Sequence, residues 1–340
     1  MKIAVIVPVY NGGELLNTCL KSIARSSRRP DQVIVVDDSS TDGSESVANE
    51  HGIDCIVLQN GPYGPARARN RGAAEAEDAD ILVFVDADVA IQESTIERIE
   101  QHFMQNPYID ALFGSYDRHP QAGNIASLYK NLEHHHVHQT SGREASTFWA
   151  GCGAVRNAVF RSVGGFDETY GQPSIEDIEL GSRMKNQGYR IVLCPDLQVK
   201  HLKYLTLGEL IRTDIFCRAI PWSRLLIRQG RLPNELNLST KRRLAAVAAV
   251  ALAISSLMLW WDPAKAGVVA LIAGAAFVGL NAGLLNIFRR RGGFKLCLAA
   301  GTLHLFYNLY SVAAFAWAIC EEPARSWKSK RFQRKVLRRV

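Results

Sequence analysis

Two carboxylates one residue apart, Asp86 and Asp88, follow the apolar run Ile81–Val85. Like charges crowded at the end of a buried strand repel, and a bound cation relieves that repulsion. Mg2+ or Mn2+ takes a few carboxylates and fills its remaining positions with water and phosphate oxygens. The pair therefore reads as a metal site for a nucleoside diphosphate, with a solvated strand-end turn as the bland alternative. Asp37 and Asp38 close a second apolar run, residues 33–36. They either begin a turn or accept hydrogen bonds from a base N–H or a ribose hydroxyl. Arg67 and Arg69 stand near the start of an expected helix, 66–76, where they suit phosphates or simply a solvated face. Glu176 and Asp177 open another expected helix, which runs to Gln187 with Gly188 as its stop. Acids in a first helical turn favour the helix dipole, whereas a carboxylate over a sugar hydroxyl serves as a general base. Spacing alone does not choose between the two.

The elements that must hold these residues alternate. Ile3–Val9 reads as a strand, 14–25 as a helix, 33–36 as a strand, 44–51 as a helix and 54–58 as a short strand. The helix at 66–76, the strand Ile81–Val85 and a helix at 95–104 follow. Continuous apolar strands are those of a parallel sheet covered on both faces, and β–α alternation predicts a doubly wound α/β sheet. Such sheets bind ligands at the carboxyl ends of their strands. Tyr10-Asn11, Asp37-Asp38 and Asp86-Asp88 all lie there. No GxGxxG or GxxxxGK[ST] occurs, which speaks against a nicotinamide enzyme or a P-loop NTPase. Ile3–Val9 ends at Asn11-Gly12-Gly13 with no small-residue cleavage pattern, so it is read as a strand and not as a signal peptide.

The 340 residues are 47% hydrophobic and 21% charged, which excludes a disordered chain. Seven cysteines form no CxxC pair, so neither a zinc site nor a disulfide framework is suggested. The net charge of +7 concentrates in residues 321–340, where eight basic residues meet two acidic ones. That pattern is a basic tail suited to anionic lipid and not a nucleic-acid-binding surface. Three uncharged runs precede it, residues 244–261, 267–288 and 296–320. Each is long enough to cross a bilayer as a helix. His304, Tyr307, Asn308 and Tyr310 make the third partly polar, so two to three membrane helices are expected. Basic clusters at 241–243 and 289–291 place the start of this region in the cytosol. Residues 205–243 mix apolar and basic side chains, as interfacial amphipathic helices do.

Six stretches taken together resemble the inverting glycosyltransferases of family 2, which have the GT-A fold. They are Ile6-Val-Pro-Val-Tyr-Asn11, Val35-Val-Asp-Asp-Ser-Ser-Thr-Asp-Gly43, Ala68-Arg-Asn-Arg-Gly72, Asp86-Ala-Asp88, Gly164-Gly-Phe-Asp167 and Glu176-Asp177. The resemblance implies a catalytic domain over 1–204, with a nucleotide-sugar half at 1–105 and an acceptor half at 106–204. It implies a donor bound under Pro8, Tyr10, Asp37 and Asp38, with Asp86 on the ribose or metal and Asp88 on the metal. Asp177, in the Glu-Asp pair, would take the acceptor proton, and Gly151, Cys152 and Gly153 would line the acceptor side. In some members a late histidine completes the metal shell; His201 is the candidate, with a surface histidine as the alternative. Membrane-bound relatives carry Q/R-x-x-R-W after the Glu-Asp pair. Here Arg218-Ala-Ile-Pro-Trp222 keeps the first Arg and the Trp, which would close over the diphosphate and sugar, but not the second Arg. That departure speaks against a processive polymerase.

The expectation is a membrane-anchored, metal-dependent glycosyltransferase of the cell envelope, using Mg2+ or Mn2+. Its partners would be a nucleotide-diphosphate sugar, a lipid-linked or glycolipid acceptor and membrane lipid. It would be a multi-pass protein of the inner (plasma) membrane, with a cytoplasmic catalytic domain. The nearest alternative is a polyprenyl-phosphate sugar synthase, similar in the first hundred residues but generally without the Gly-Gly-Phe-Asp and Glu-Asp signatures. The non-enzyme alternative is a membrane scaffold with a vestigial sugar-nucleotide site.

Overall fold

The computed structural model describes residues 1–336, with side chains described through Glu321. The side chains of 322–340, most of the basic tail expected on anionic lipid, lie outside the described residues. The chain forms two compact units, Met1–Thr206 and Leu207–Val340. The expectation set this boundary after residue 204.

In the first unit, β1 (Ile3–Val9), α1 (Gly13–Ala24), β2 (Gln32–Asp37), α2 (Ser44–Glu50), β3 (Cys55–Val57), α3 (Pro65–Glu75) and β4 (Ile81–Val85) alternate. The chain continues through β5 (Val89–Ala90), α4 (Thr95–Gln105), β6 (Ala111–Tyr116), α5 (Ile125–Thr140), β7 (Glu144–Ala145), β8 (Cys152–Arg156), α6 (Asn157–Ser162), α7 (Glu176–Asn186) and β9 (Ile191–His201). The sheet runs β3-β2-β1-β4-β8-β6-β9-β5, with β7 also paired to β9. β3, β2, β1 and β4 are parallel, and all seven residues of β1 are buried, as covered parallel strands require. β8 runs antiparallel between β4 and β6, which makes the sheet mixed. This is the point at which simple β–α alternation stops describing the chain.

Helix α1 buries Leu16, Cys19, Leu20 and Ile23, a stripe at helical spacing, and α4 buries Ile96, Ile99 and Phe103. Both cover one face of the sheet, together with Val5, Val7, Val83 and Val85. On the other face Phe84 meets Phe148, Phe160 and Phe166 at ring distances of 6.4, 5.4 and 5.1 Å. The expected strand pieces at 190–194 and 197–200 are one strand, β9, which runs through Pro195. Its register against β6 slips between Phe113 and Ser115, where Phe113 faces Leu193 but Ser115 faces Gln198. Gly114 permits the slip, because a Cβ there would sit 2.2 Å from the Leu197 carbonyl oxygen.

The second unit contains α8 (Leu207–Arg212), a π-helical stretch Thr213–Ala219, α9 (Ile220–Gln229), α10 (Thr240–Met258), α11 (Pro263–Leu280) and α12 (Ala282–Val336). Within 205–243, Leu207, Ile211 and Phe216 are exposed whereas Leu210, Asp214 and Leu226 are buried. Among the described residues two helical segments are long and apolar enough to cross a membrane, Pro263–Leu280 and Ala282–Glu321. The three expected runs divide differently. α10 ends at Met258 and starts on the Lys241–Arg243 cluster, which leaves a shorter apolar stretch than the run 244–261. The second run breaks at Asn281, which caps α11, and α12 kinks at Gly292-Gly293. The polar residues of the third run have partners among the helices. His304 Nε2 lies 3.0 Å from Asn281 Oδ1, and Tyr310 Oη donates to Asp214 Oδ2 at 3.0 Å. Polar groups among apolar helices are expected to pair in this way.

Candidate active site

The carboxyl ends of β1, β2 and β4 bring the first group of residues to one sheet edge. Tyr10, just past β1, is 51% exposed. Pro8 is buried within β1 opposite Val36. Asp37 Oδ1 accepts from the Ser40 amide at 2.8 Å, and Asn11 Oδ1 accepts from the Thr41 amide at 2.8 Å. The first closes the loop after β2, and the second ties it to the loop after β1. Asp38 does something the sequence did not suggest. Its two oxygens accept from the backbone amides of Tyr63 and Gly64 at 2.7–2.9 Å. The carboxylate is buried and committed to the loop ahead of α3.

Arg67 and Arg69, two residues apart on α3, point to different faces. Arg67 is exposed, its guanidinium 4.0 Å from the Tyr63 ring centre. Arg69 is 4% exposed and ends between two acids. Its Nη2 donates to Asp86 Oδ1 at 2.7 Å and its Nη1 to Glu176 Oε1 at 2.9 Å. The guanidinium is thus engaged by two carboxylates. The sequence carried a signal for this, since Arg69 shares the buried stripe of Ala66, Gly72 and Ala73. Its neighbour Asn70 was missed as well. Its Nδ2 donates to the Phe166 carbonyl at 2.9 Å and its Oδ1 accepts from the Phe166 amide at 2.8 Å, which clasps the Gly164–Asp167 turn.

β5 pairs with β9 so that Val89 faces His201, and the Leu202 amide donates to the Asp88 carbonyl at 2.9 Å. The Asp88 and His201 side chains become neighbours, with Oδ2 and Nε2 3.9 Å apart. Burial pushes the Asp88 carboxyl above its usual range, and His201 opposes that shift. A carboxylate and an imidazole at this spacing fit a divalent ion of the Mn2+ or Mg2+ kind, provided that diphosphate and water complete the shell. Among the described residues no group of three or more His, Cys, Asp or Glu side chains could hold a metal unaided. Arg69 occupies one oxygen of Asp86, Oδ1.

Asp177 sits in the first turn of α7. Its Oδ2 accepts from the Ala150 amide at 3.1 Å and its Oδ1 from the Ile178 amide at 2.8 Å. Burial and then Glu176 raise its pKa, Arg69 and the two amides oppose the shift, and the balance leaves it at about 7. A carboxyl tuned close to neutral pH is suited to proton transfer. Of the three residues expected to line the acceptor side, Cys152 and Gly153 lie in β8, between β4 and β6. Cys152 is 1% exposed, so its side chain belongs to the core. A Cβ at Gly151 would lie 2.5 Å from the Trp149 ring. The half-buried Trp149, not Cys152, is the large side chain beside Ala150. Tyr116 meets the Trp149 ring at 4.9 Å and stacks on His201 at 4.6 Å. His134 of α5 packs on Tyr116 at 4.5 Å and on Trp149 at 4.7 Å. An aromatic wall therefore links the Asp88–His201 end to the Ala150–Asp177 end. His138, also of α5, meets the Trp149 ring at 5.8 Å. Arg218 and Trp222 belong to the second unit; Arg218 pairs there with the buried Asp214 at 3.0 Å.

Residues 4–164 match the family described as Glycosyl transferase family 2. The chain is a glycosyltransferase whose first unit carries the family 2 domain. Among curated proteins, it is 25% identical to the O-antigen chain rhamnosyltransferase RfbN of Salmonella typhimurium, over 65% of this chain and 74% of that one. It is 27% identical to the N-acetylglucosaminyl-diphospho-decaprenol L-rhamnosyltransferase of Mycobacterium tuberculosis, over 60% of this chain and 77% of that one. Among solved structures, a mannosyltransferase from Pyrobaculum calidifontis in complex with GDP-Man and Mn2+ superposes with a TM-score of 0.62 at 19% identity. That match covers 93% of this chain and 87% of the other. S. aureus TarS 1–349 in complex with UDP-GlcNAc reaches a TM-score of 0.53 at 16% identity, over 96% and 92% of the two chains. Both share the GT-A fold. The chain therefore acts on a nucleotide sugar, as its family does, and the scaffold alternative is set aside.

Proposed function

We propose that this enzyme is a metal-dependent, inverting glycosyltransferase that moves a sugar to a lipid-linked glycan or glycolipid precursor at the cytosolic face of the plasma membrane. The observation that carries this reading is the Asp177 carboxylate, held by the Ala150 amide and poised at about pH 7. Two relatives are named for rhamnosyl transfer, one to the O-antigen chain and one to a diphospho-decaprenol carrier. They make a lipid-linked acceptor and a rhamnosyl donor the first choices. The apolar helices Pro263–Leu280 and Ala282–Glu321 are consistent with membrane association.

Tyr10, Asp37 and Arg67 face the nucleoside and its phosphates. Asp86 borders the ribose, and Asp38 holds the loop that carries Tyr63. Asp88 and His201 would hold Mn2+ or Mg2+, whose chemistry is to neutralise the diphosphate as it departs. Asp177 takes the proton of the acceptor hydroxyl. The acceptor oxygen bonds to the anomeric carbon from the face opposite the diphosphate. The C–O bond to the diphosphate breaks, its electron pair leaves with the nucleoside diphosphate, and the configuration inverts.

The test begins with the melting of detergent-purified protein with UDP, GDP, dTDP and CDP, each with and without Mn2+. A nucleotide at 100 times its Kd stabilises the fold by ~2.7 kcal/mol. One nucleotide should raise Tm only with metal, and Asp88→Ala should remove that rise. Asp177→Ala should keep the rise yet abolish transfer of label from the matching nucleotide sugar into bacterial membrane lipid extract. No nucleotide response, or transfer at the wild-type rate by Asp177→Ala, would refute the proposal.

A further inference from the structure

Arg69 leaves α3 and reaches acids on two distant parts of the chain. Asp86 is 17 residues away, past β4, and Glu176 is 107 residues away, at the start of α7. The Phe166 ring lies 5.3 Å from its guanidinium carbon. The Glu176 side chain is as buried as that of Arg69, at 5% exposure each, and the second Glu176 oxygen accepts from the Ser174 amide at 2.8 Å. A cation and two acids taken out of water cost desolvation, and a well-packed apolar filler commonly stabilises a fold as well or better. Fold stability is thus a weak reason for this arrangement. What a filler does not do is fix a distance. The planar guanidinium fork sets two carboxylates in a defined relation, which the ammonium of lysine does not reproduce. One of those carboxylates, Asp86, belongs to the donor end. The other adjoins Asp177 on the first turn of α7.

We propose that Arg69 is a positioning residue for sugar transfer: through Glu176 it sets the separation between the donor end at Asp86 and the base Asp177, and it does not bind the donor phosphates. The proposal rests on the reading of Asp177 as the base. The charged groups that act on Asp177 are Glu176 beside it on α7 and Arg69 from α3. Removing either moves the pH at which the base ionises, in opposite directions.

Three variants of the full-length protein test this: Arg69→Lys, which keeps the charge and loses the fork, Arg69→Gln and Glu176→Gln. Nucleotide affinity is read by thermal shift with UDP, GDP, dTDP and CDP plus Mn2+. Turnover is read as nucleoside diphosphate release from the matching nucleotide sugar, with membrane lipid extract as acceptor pool, across pH. Misplacing a reacting group by about 1 Å costs roughly 10²-fold, so Arg69→Lys should lose turnover of that order and keep nucleotide affinity. Arg69→Gln should move the acid limb of the profile to higher pH and Glu176→Gln to lower pH. Loss of nucleotide affinity with saturating turnover intact would make Arg69 a phosphate ligand and overturn the proposal. A lower Tm with turnover per folded molecule and acid limb unchanged would make it a structural strut, also an overturning result. If the Arg69 variants do not fold, Glu176→Gln decides, since it is nearly isosteric; wild-type turnover and an unmoved acid limb would overturn the proposal. Asp177→Asn runs in the same assay. Full turnover there removes the base reading itself, whatever the Arg69 variants do.

Discussion

Asp177 should impose a pH profile that an ordinary carboxylate would not. Burial and the adjacent Glu176 raise its pKa from 3.8 to about 7. A base works only when deprotonated, so activity should rise with pH through that value. With one titration at 7, roughly one-tenth of the molecules carry the ionised base at pH 6 and about nine-tenths at pH 8. The expected change in kcat/KM between those two pH values is therefore about tenfold, with a further tenfold loss per unit below pH 6. The parameter to measure is kcat/KM, because it reports the free enzyme. Saturating Mn2+ keeps Asp88 and His201 in their ligand forms and removes their titration from the profile. The diphosphate of a nucleotide sugar is esterified at both ends and contributes no ionisation near neutrality. A profile flat from pH 8 to pH 5 would show that the carboxyl ionises in the usual range or does not act as the base, and the electrostatic reasoning would fail.

Two structural predictions accompany it. Asp38→Ala leaves the Tyr63 and Gly64 amides without their acceptor. Each unpaired buried amide costs about 1–3 kcal/mol, visible in the denaturant midpoint, and nucleotide affinity should weaken as the loop loosens; an unchanged midpoint would contradict the assigned role. Gly181→Ala on α7 would set a Cβ 2.2 Å from the Phe148 amide nitrogen and 2.4 Å from the Thr147 carbonyl carbon. Overpacking against backbone costs about 1–3 kcal/mol, and transfer should fall with stability because α7 carries Asp177; a Tm and turnover at wild-type values would count against that packing.

Much of this enzyme was legible along the chain. β1 and β4 have the limits that their apolar runs predict, and the first helices differ from expectation by a residue or so at each end. Those elements are set by local composition: unbroken apolar runs, amphipathic helices and turn residues between them. The second half of the domain was less legible. β5 and β7 have two residues each, and β8 begins Cys-Gly-Ala, a pattern without local strand preference. Such strands exist because neighbours pair with them.

The sequence by itself determined the class of chemistry. The order Asp37-Asp38, Asp86-x-Asp88, Glu176-Asp177 does so only together with the other stretches that resemble family 2, since each acid alone also suits a turn or a helix dipole. Only the tertiary structure decided which acid does what. Asp38 and Asp37 are neighbours in sequence, yet Asp38 is committed to a loop 25 residues on. Arg67 and Arg69 look alike, and only packing against Asp86 and Glu176 separates a solvent-facing cation from a buried bridge. Asp88 meets His201 through a two-residue strand pairing. The sequence left Asp177 open between helix dipole and base; its burial beside Glu176 gives it a pKa suited to a base. Each of these depends on desolvation or on contacts between residues well separated along the chain. Side-chain type and local spacing carry no record of either.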